Sequence, residues 1–335
     1  MKWFGLLAAA LAGQAQAGES CDALKLDRLP VCVEASGGVV LAPDEAQARD
    51  ISASIEAARP RFETLFGHPA PAYAVIFDSP THDEIATLER AGYPAVLPWM
   101  DSAQLIAQFE QKMRDAISAK IPGMSQEQLD RIVAEKLAEL RANLGGASAA
   151  AHEMGHLWFT QVFWASYREG DAPAGHYGSP APDWLDEISG LAFEDETMAG
   201  NRRLRFRELW SAGQGIVPLP QFLAMTHPEN GKADKGPPPP PPGDGGGGTV
   251  TVRADVSERS LATSAFYAQG RVFADFLIAN GKPGVLGAIS AAVSDGIGFD
   301  QWLADQGAAH GLPGDIAGLE TRWKEWTVAA YGDPG

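Results

Sequence analysis

The run His152-Glu153-Met154-Gly155-His156 constrains this chain more than any other stretch of it. It spells H-E-x-x-H. On an α-helix, residues four apart share a face, so both imidazoles can point at one metal. Neutral imidazole is a good zinc ligand, and two of them leave positions for a third side chain and a water. Glu153 follows the first histidine and can take a proton from that water, an arrangement suited to metal-assisted hydrolysis. The flanks ask for a buried helix. Ala147-Ser148-Ala149-Ala150-Ala151 are mostly strong helix formers after Gly145-Gly146, and Leu157, Trp158, Phe159, Val162 and Phe163 form an apolar run. The competing reading is a core helix whose histidines only hydrogen-bond to neighbours, which leaves a buried Glu153 in need of a partner.

The third ligand separates the kinds of H-E-x-x-H protein. A metzincin would carry a glycine and a histidine where this chain has Phe159 and Val162, so that pattern fails. Downstream lies Pro182-Asp183-Trp184-Leu185-Asp186-Glu187-Ile188-Ser189-Gly190. Here the chain resembles the gluzincins, H-E-x-x-H zinc peptidases whose third ligand is a glutamate on a second helix, and within them the peptidase MA-like group. Trp184-Leu185-Asp186-Glu187 is similar to that group's W-L-x-E-G signature. The resemblance spans roughly residues 70 to 330. It implies an α+β, helix-dominated, zincin-like fold with a small sheet and a helical C-terminal part. It also implies zinc held by His152, His156 and Glu187, with Trp184 packing the second helix against the first.

Two departures stand out. Thirty residues, 157 to 186, separate His156 from Glu187, more than in the aminopeptidases of the group. The excess, around Arg168 to Pro182, is rich in Gly, Ala and Pro and reads as an inserted loop. The G-x-M-E-N segment that grips a substrate's free amine in those aminopeptidases is missing. Glu187 also has a plainer reading: with Asp183 as N-cap, Asp186 and Glu187 fall in a first helical turn, where acids suit the helix dipole. That reading is preferred for Asp186 and the ligand reading for Glu187. His176 and Asp183 are spare ligand candidates.

Hydrolysis through a tetrahedral intermediate gains from a donor aimed at the oxyanion. The segment from Ser264 to Gly281 resembles the later helix of peptidase MA-like proteins, with Tyr267, Phe273, Leu277 and Gly281 at matching spacing. Tyr267 is therefore the candidate donor, with Tyr177 and Tyr167 as alternatives. It can equally flank a core stripe of Phe266, Phe273 and Leu277.

The remaining features bound the setting. Residues 1–17 read as a secretory signal peptide: Lys2, an apolar stretch from Trp3 to Leu11, and Ala15-Gln16-Ala17 before Gly18. No later run suits a membrane span. The two cysteines, Cys21 and Cys32, suit a disulfide in an oxidising compartment, periplasmic or secreted. A net charge of −17 argues against nucleic acid and anionic membranes as partners. Arg202, Arg203, Arg205 and Arg207, after Asn201 as N-cap, read as decoration of one helix.

The domain plan is an N-terminal segment (18–70), a catalytic core (71–229), a Pro/Gly-rich loop (230–249) and a helical C-terminal part (250–335). Strands are expected around Val39–Leu41 and Ala72–Phe77. Helices are expected from Asp44 onward, from Thr81 to about Ala91, and from Ser102 with Leu105, Ile106, Phe109, Met113 and Ile117 on one face. Ser125 and Gln128 make a capping box for a helix to about Asn143. Pro237 to Pro242 and the glycines after them cannot pack as a core. Beyond, helices are expected over about 257–280, 283–293, 299–306 and 314–330, with Trp302, Leu319, Trp323 and Trp326 as core.

The leading expectation is an exported zinc metallopeptidase acting on a peptide or protein substrate, with Glu153 as general base. Two alternatives stand: a non-catalytic zinc-binding protein on the same scaffold, and a zinc hydrolase of non-peptide amides.

Overall fold

The computed structural model describes residues 18–24, 26, 28–100, 102–143, 146–167, 178–228 and 252–335. The expected signal peptide, His176, Tyr177 and the proline run lie outside these residues.

The fold is α+β and dominated by helix. Its one sheet among the described residues has four strands in the order β1-β2-β3-β4: β1 (Val31–Glu34), β2 (Gly38–Ala42), β3 (Tyr73–Phe77) and β4 (Ala95–Trp99). β1 runs antiparallel to β2, with Val33 opposite Val40, while β2, β3 and β4 are mutually parallel. Parallel neighbours need helical crossovers. These are α1 (Glu45–Phe66) between β2 and β3, and α2 (His82–Arg90) between β3 and β4. Every residue of β2 and β3 is buried, so both read as short continuous apolar runs rather than alternating ones. The Cys21–Cys32 disulfide is formed and ties the N-terminal segment to β1.

Local signals fix several boundaries. Asp44 caps α1 by accepting from the Gln47 N–H, and Gly67 ends that helix in the left-handed conformation. Thr81 and Glu84 form a reciprocal capping box for α2. The Ser125–Gln128 box starts α4 (Gln126–Asn143), which pairs with α3 (Ser102–Lys120) as a hairpin. The hairpin buries Leu129, Val133 and Leu137 beneath Ile106, Met113 and Ile117. Phe109, expected on that apolar face, is 48% exposed instead.

α5 (Gly146–Phe163) carries the two histidines and lies beside α1 on one face of the sheet, α1 covering β2 and α5 covering β4. Aromatic rings fill their interface. Phe62 meets Trp158 at 5.5 Å and Phe66 meets Phe159 at 5.7 Å, both edge-on. α6 (Asp183–Leu191) follows, then α7 (Glu196–Ser211), α8 (Leu219–Leu223) and α9 (Val252–Asn280). α10 (Val285–Ser294), α11 (Phe299–Trp302), a π-helical turn at Leu303–Gly307, a short 3₁₀ turn and α12 (Ile316–Tyr331) complete the chain. Trp302, Leu319 and Trp323 are buried as expected, and Trp326 packs partly buried beside Trp323. Among the described residues, no single helix is long and apolar enough to cross a membrane.

Three local expectations are corrected. Asn201 caps nothing: it lies inside α7, whose cap is Asp195, accepting from the Met198 N–H. Asp183 is not the N-cap of α6; Pro182 holds that position, and Asp183 accepts from the His227 backbone N–H at 2.5 Å. The Trp184 ring packs on Phe273 of α9 and Phe299 of α11, at 5.8 and 5.1 Å. The approach of α6 to α5 rests on Gly155 instead. A Cβ there would lie 2.3 Å from the Ser189 carbonyl oxygen, so only glycine admits this spacing.

Candidate metal centre

His152 and His156 leave α5 one turn apart, and α6 delivers Glu187 to the same point. The two Nε2 atoms are 3.2 Å apart, and Glu187 Oε1 is 3.4 Å from His152 Nε2. One ligand atom from each residue lies within 4.8 Å of the other two, so the group can hold a metal ion. His152 and Glu187 are buried, and His156 is partly buried. Gly190 makes room for the rings: a Cβ on it would sit 2.6 Å from His156 Nε2 and 2.8 Å from His152 Nε2.

A carboxylate stands behind each imidazole. Asp186 Oδ2 is 3.2 Å from His156 Nδ1, and Glu194 Oε1 is 3.4 Å from His152 Nδ1. Both are ion-pair contacts rather than aligned hydrogen bonds, and His156 Nδ1 also has the Ser189 hydroxyl at 3.4 Å. These acids are held in turn. Ser179 donates to Asp186 at 2.7 Å, and Arg202 donates to Glu194 through Nε and Nη2 at 3.2 and 3.1 Å. Carboxylate–imidazole pairs of this kind fix ring orientation and raise the basicity of the nitrogen aimed at a metal. On the far side of Glu187, the buried His227 brings its Nε2 to 3.7 Å from Oε2.

The electrostatics follow from this packing. Burial alone would make His152 hard to charge, but the Glu187 and Glu194 carboxylates outweigh it and raise its pKa to about 10. Asp186 likewise outweighs burial at His156, which also shifts upward. Burial works against the Glu187 and Glu194 anions, yet the facing imidazoles, with Arg202 at Glu194, hold both below the usual carboxylate range. Without a metal the cluster therefore keeps a proton among its histidines.

The donor set fits a metal. Zinc bound by imidazole and carboxylate at about 2.0–2.1 Å in tetrahedral geometry separates its ligand atoms by roughly 3.3–3.4 Å. The two edges at His152, 3.2 and 3.4 Å, match that length, and His156 and Glu187 offer ligand atoms within 4.8 Å of each other. Both Nδ1 atoms face carboxylates, so the two Nε2 lone pairs converge and call for a cation or a proton between them. Glu187 Oε1 is buried and accepts no hydrogen bond.

The other candidates are placed as follows. Glu153 is the only exposed residue between Ala147 and Phe163. Tyr267 is partly buried, its ring 6.4 Å from that of His152 and 5.5 Å from that of His227. Tyr167 donates its hydroxyl to the Gly178 carbonyl at 2.8 Å, joining the two ends of the expected inserted loop. Sequence reasoning missed Glu194, Arg202 and His227 as parts of the site, and it read Asp186 as a first-turn acid only. Glu194 left one signal: an acid closing the apolar run Leu191-Ala192-Phe193 has to find a partner. His227 left none, because no spacing relates it to the histidine pair. No family model, curated protein or solved structure matches the chain.

Proposed function

We propose that this chain is a zinc-dependent peptidase of the gluzincin kind, working outside the cytoplasm. The observation that carries the reading is the convergence of His152, His156 and Glu187, their ligand atoms within 4.8 Å of one another, with a carboxylate behind each imidazole. Zinc, when bound there, supplies Lewis acidity and acidifies a water. The remaining roles belong to side chains of the chain itself. Glu153 follows the first histidine on α5, and its exposed carboxylate can take a proton from the attacking water and return it to the leaving amine. Tyr267, on the His152 side of the cluster, is the donor for the developing oxyanion. Asp186 and Glu194 hold the imidazoles in the tautomer that leaves Nε2 free for the metal. The Cys21–Cys32 disulfide and the leader-like residues 1–17 support export.

Exposure of Glu153 speaks for catalysis over the alternative of a non-catalytic zinc-binding protein, which has no use for a base beside its metal. The test is Glu153→Gln. Hydrolysis of casein or a peptide library should fall by about 10²–10⁴-fold while zinc content is unchanged. A Glu153→Gln protein with full activity would overturn the assignment, and a wild-type chain that holds zinc but cleaves nothing would favour the binding protein.

A further inference from the structure

The guanidinium of Arg202 does two things at once. Its edge donates to Glu194 Oε1 through Nε and Nη2, at 3.2 and 3.1 Å. Its face lies over the Tyr267 ring, with Cζ 4.5 Å from the ring centroid. Glu194 Oε1 in turn stands 3.4 Å from His152 Nδ1. One side chain on α7 therefore touches the acid behind a histidine of the cluster on α5 and the phenol offered by α9.

We infer that Arg202 is a positioning residue that sets His152 through Glu194 and sets the Tyr267 ring directly. The inference deepens the reading of the same site, and its Glu194 half rests on that site binding zinc. Three physical points carry it. Glu194 is fully buried, so its charge needs a fixed counter-ion, and Arg202 is that counter-ion. A cation over the face of a phenol attracts the ring quadrupole and restrains ring tilt, which controls where the hydroxyl points. Arginine can serve both partners because its donors lie in a plane whose faces remain free, whereas lysine offers a point charge with no face. Arg202 does not contact the metal ligands, so its effects reach them only through Glu194 and Tyr267.

The two halves are separable in the full-length protein. Zinc affinity, from competition with a chelator, reads the Glu194 half. The ring carbons of Tyr267 in tyrosine-labelled protein, identified by their loss in Tyr267→Phe, read the other half. Arg202→Gln removes the cation and should weaken zinc about tenfold, the low end for groups that support a ligand. Combined with Glu194→Gln it should add no further loss, because it acts through that carboxylate. Arg202→Lys restores the charge without the flat face, so zinc affinity should return while the Tyr267 signals remain shifted. Unchanged affinity in Arg202→Gln, or losses that multiply in the double variant, would overturn the Glu194 half. Tyr267 signals unmoved in Arg202→Lys would overturn the ring half, and this conservative variant serves if Arg202→Gln fails to fold. A wild-type chain that takes up no zinc overturns the proposed function together with the Glu194 half, and the Tyr267 signals then decide the ring half alone.

Discussion

Gly190→Ala is the sharpest probe of the site because it adds a single carbon at the point where the two histidines meet. The new Cβ would lie 2.6 Å from His156 Nε2 and 2.8 Å from His152 Nε2, well inside the ~3.5 Å at which such atoms touch. Neither ring can retreat freely, since each has a carboxylate behind its Nδ1. Overpacking of this kind costs about 1–3 kcal/mol. Alanine in place of glycine inside a helix returns about 0.5–1 kcal/mol. The two terms oppose, so the net loss of stability lies anywhere from about 0 to about 2.5 kcal/mol, and the thermal midpoint is a weak reporter. Zinc affinity is the strong one. A displaced imidazole Nε2 should weaken binding by at least the 10–100-fold seen when supporting groups are removed. Gly200→Ala is the control: it lies within α7 and its Cβ would meet nothing within 4 Å. That variant should be stabilised by about 0.5–1 kcal/mol with zinc affinity unchanged. A Gly190→Ala protein that binds zinc as tightly as wild type would refute the geometry argued here.

Two further outcomes are expected. Replacing Cys21 and Cys32 with serine should cost about 2–3 kcal/mol in denaturant unfolding, as expected for a bridge between residues 11 apart in sequence; an unchanged midpoint would refute a stabilising role for the bridge. In metal-free protein the raised pKa of His152 contributes stability that is fully present below 6.5 and lost as pH rises through about 10. The stability gap between wild type and His152→Gln should therefore narrow over that range, while apparent zinc affinity climbs as the competing proton leaves; a gap and an affinity that both ignore pH would contradict the shift.

What was legible in the sequence was mostly local. The helix start at Thr81, the capping box at Ser125 and the disulfide each depend on residues close in the chain, and each is present. The α5 helix was legible because its histidine spacing and its apolar flank agree. β4 was not, because Pro98 argues against a strand; it sits there because β4 is a sheet edge, where a missing N–H leaves no ladder bond unmade. β1 has only four residues and draws its place from pairing with β2. Asn201 looked like a helix start, but Asp195 had already opened α7. Of the site, the cluster His152, His156 and Glu187 could be named in advance because its members sit on two motif-bearing helices. The supporting shell could not. Arg202 reaches Glu194 across a turn, and His227 meets Glu187 across forty residues of chain (187 to 227), contacts that only tertiary packing sets.

The supporting shell also bears on why the fold tolerates so much buried charge. Asp183, Asp186, Glu187 and Glu194 are all buried within a short stretch, and each buried anion costs several kcal/mol unless compensated. Three of them have at least one partner that does not titrate near neutrality, beside the imidazoles that face Asp186 and Glu194. Asp183 takes the His227 N–H, Asp186 takes the Ser179 hydroxyl, and Glu194 takes the Arg202 guanidinium. Glu187 instead faces imidazoles, His152 at 3.4 Å and His227 at 3.7 Å, with Oε1 accepting no hydrogen bond. Its compensation therefore varies with what occupies the histidines: a proton in the metal-free protein, a divalent cation when one is bound. A carboxylate kept only for stability would be better served by a permanent cation such as Arg202, or replaced by an apolar residue of similar size. Glu187, whose partners here are all imidazoles, sits where two imidazole nitrogens converge, so the ligand reading expects the local stability of α6 to rise on metal binding, which a first-turn acid would not do.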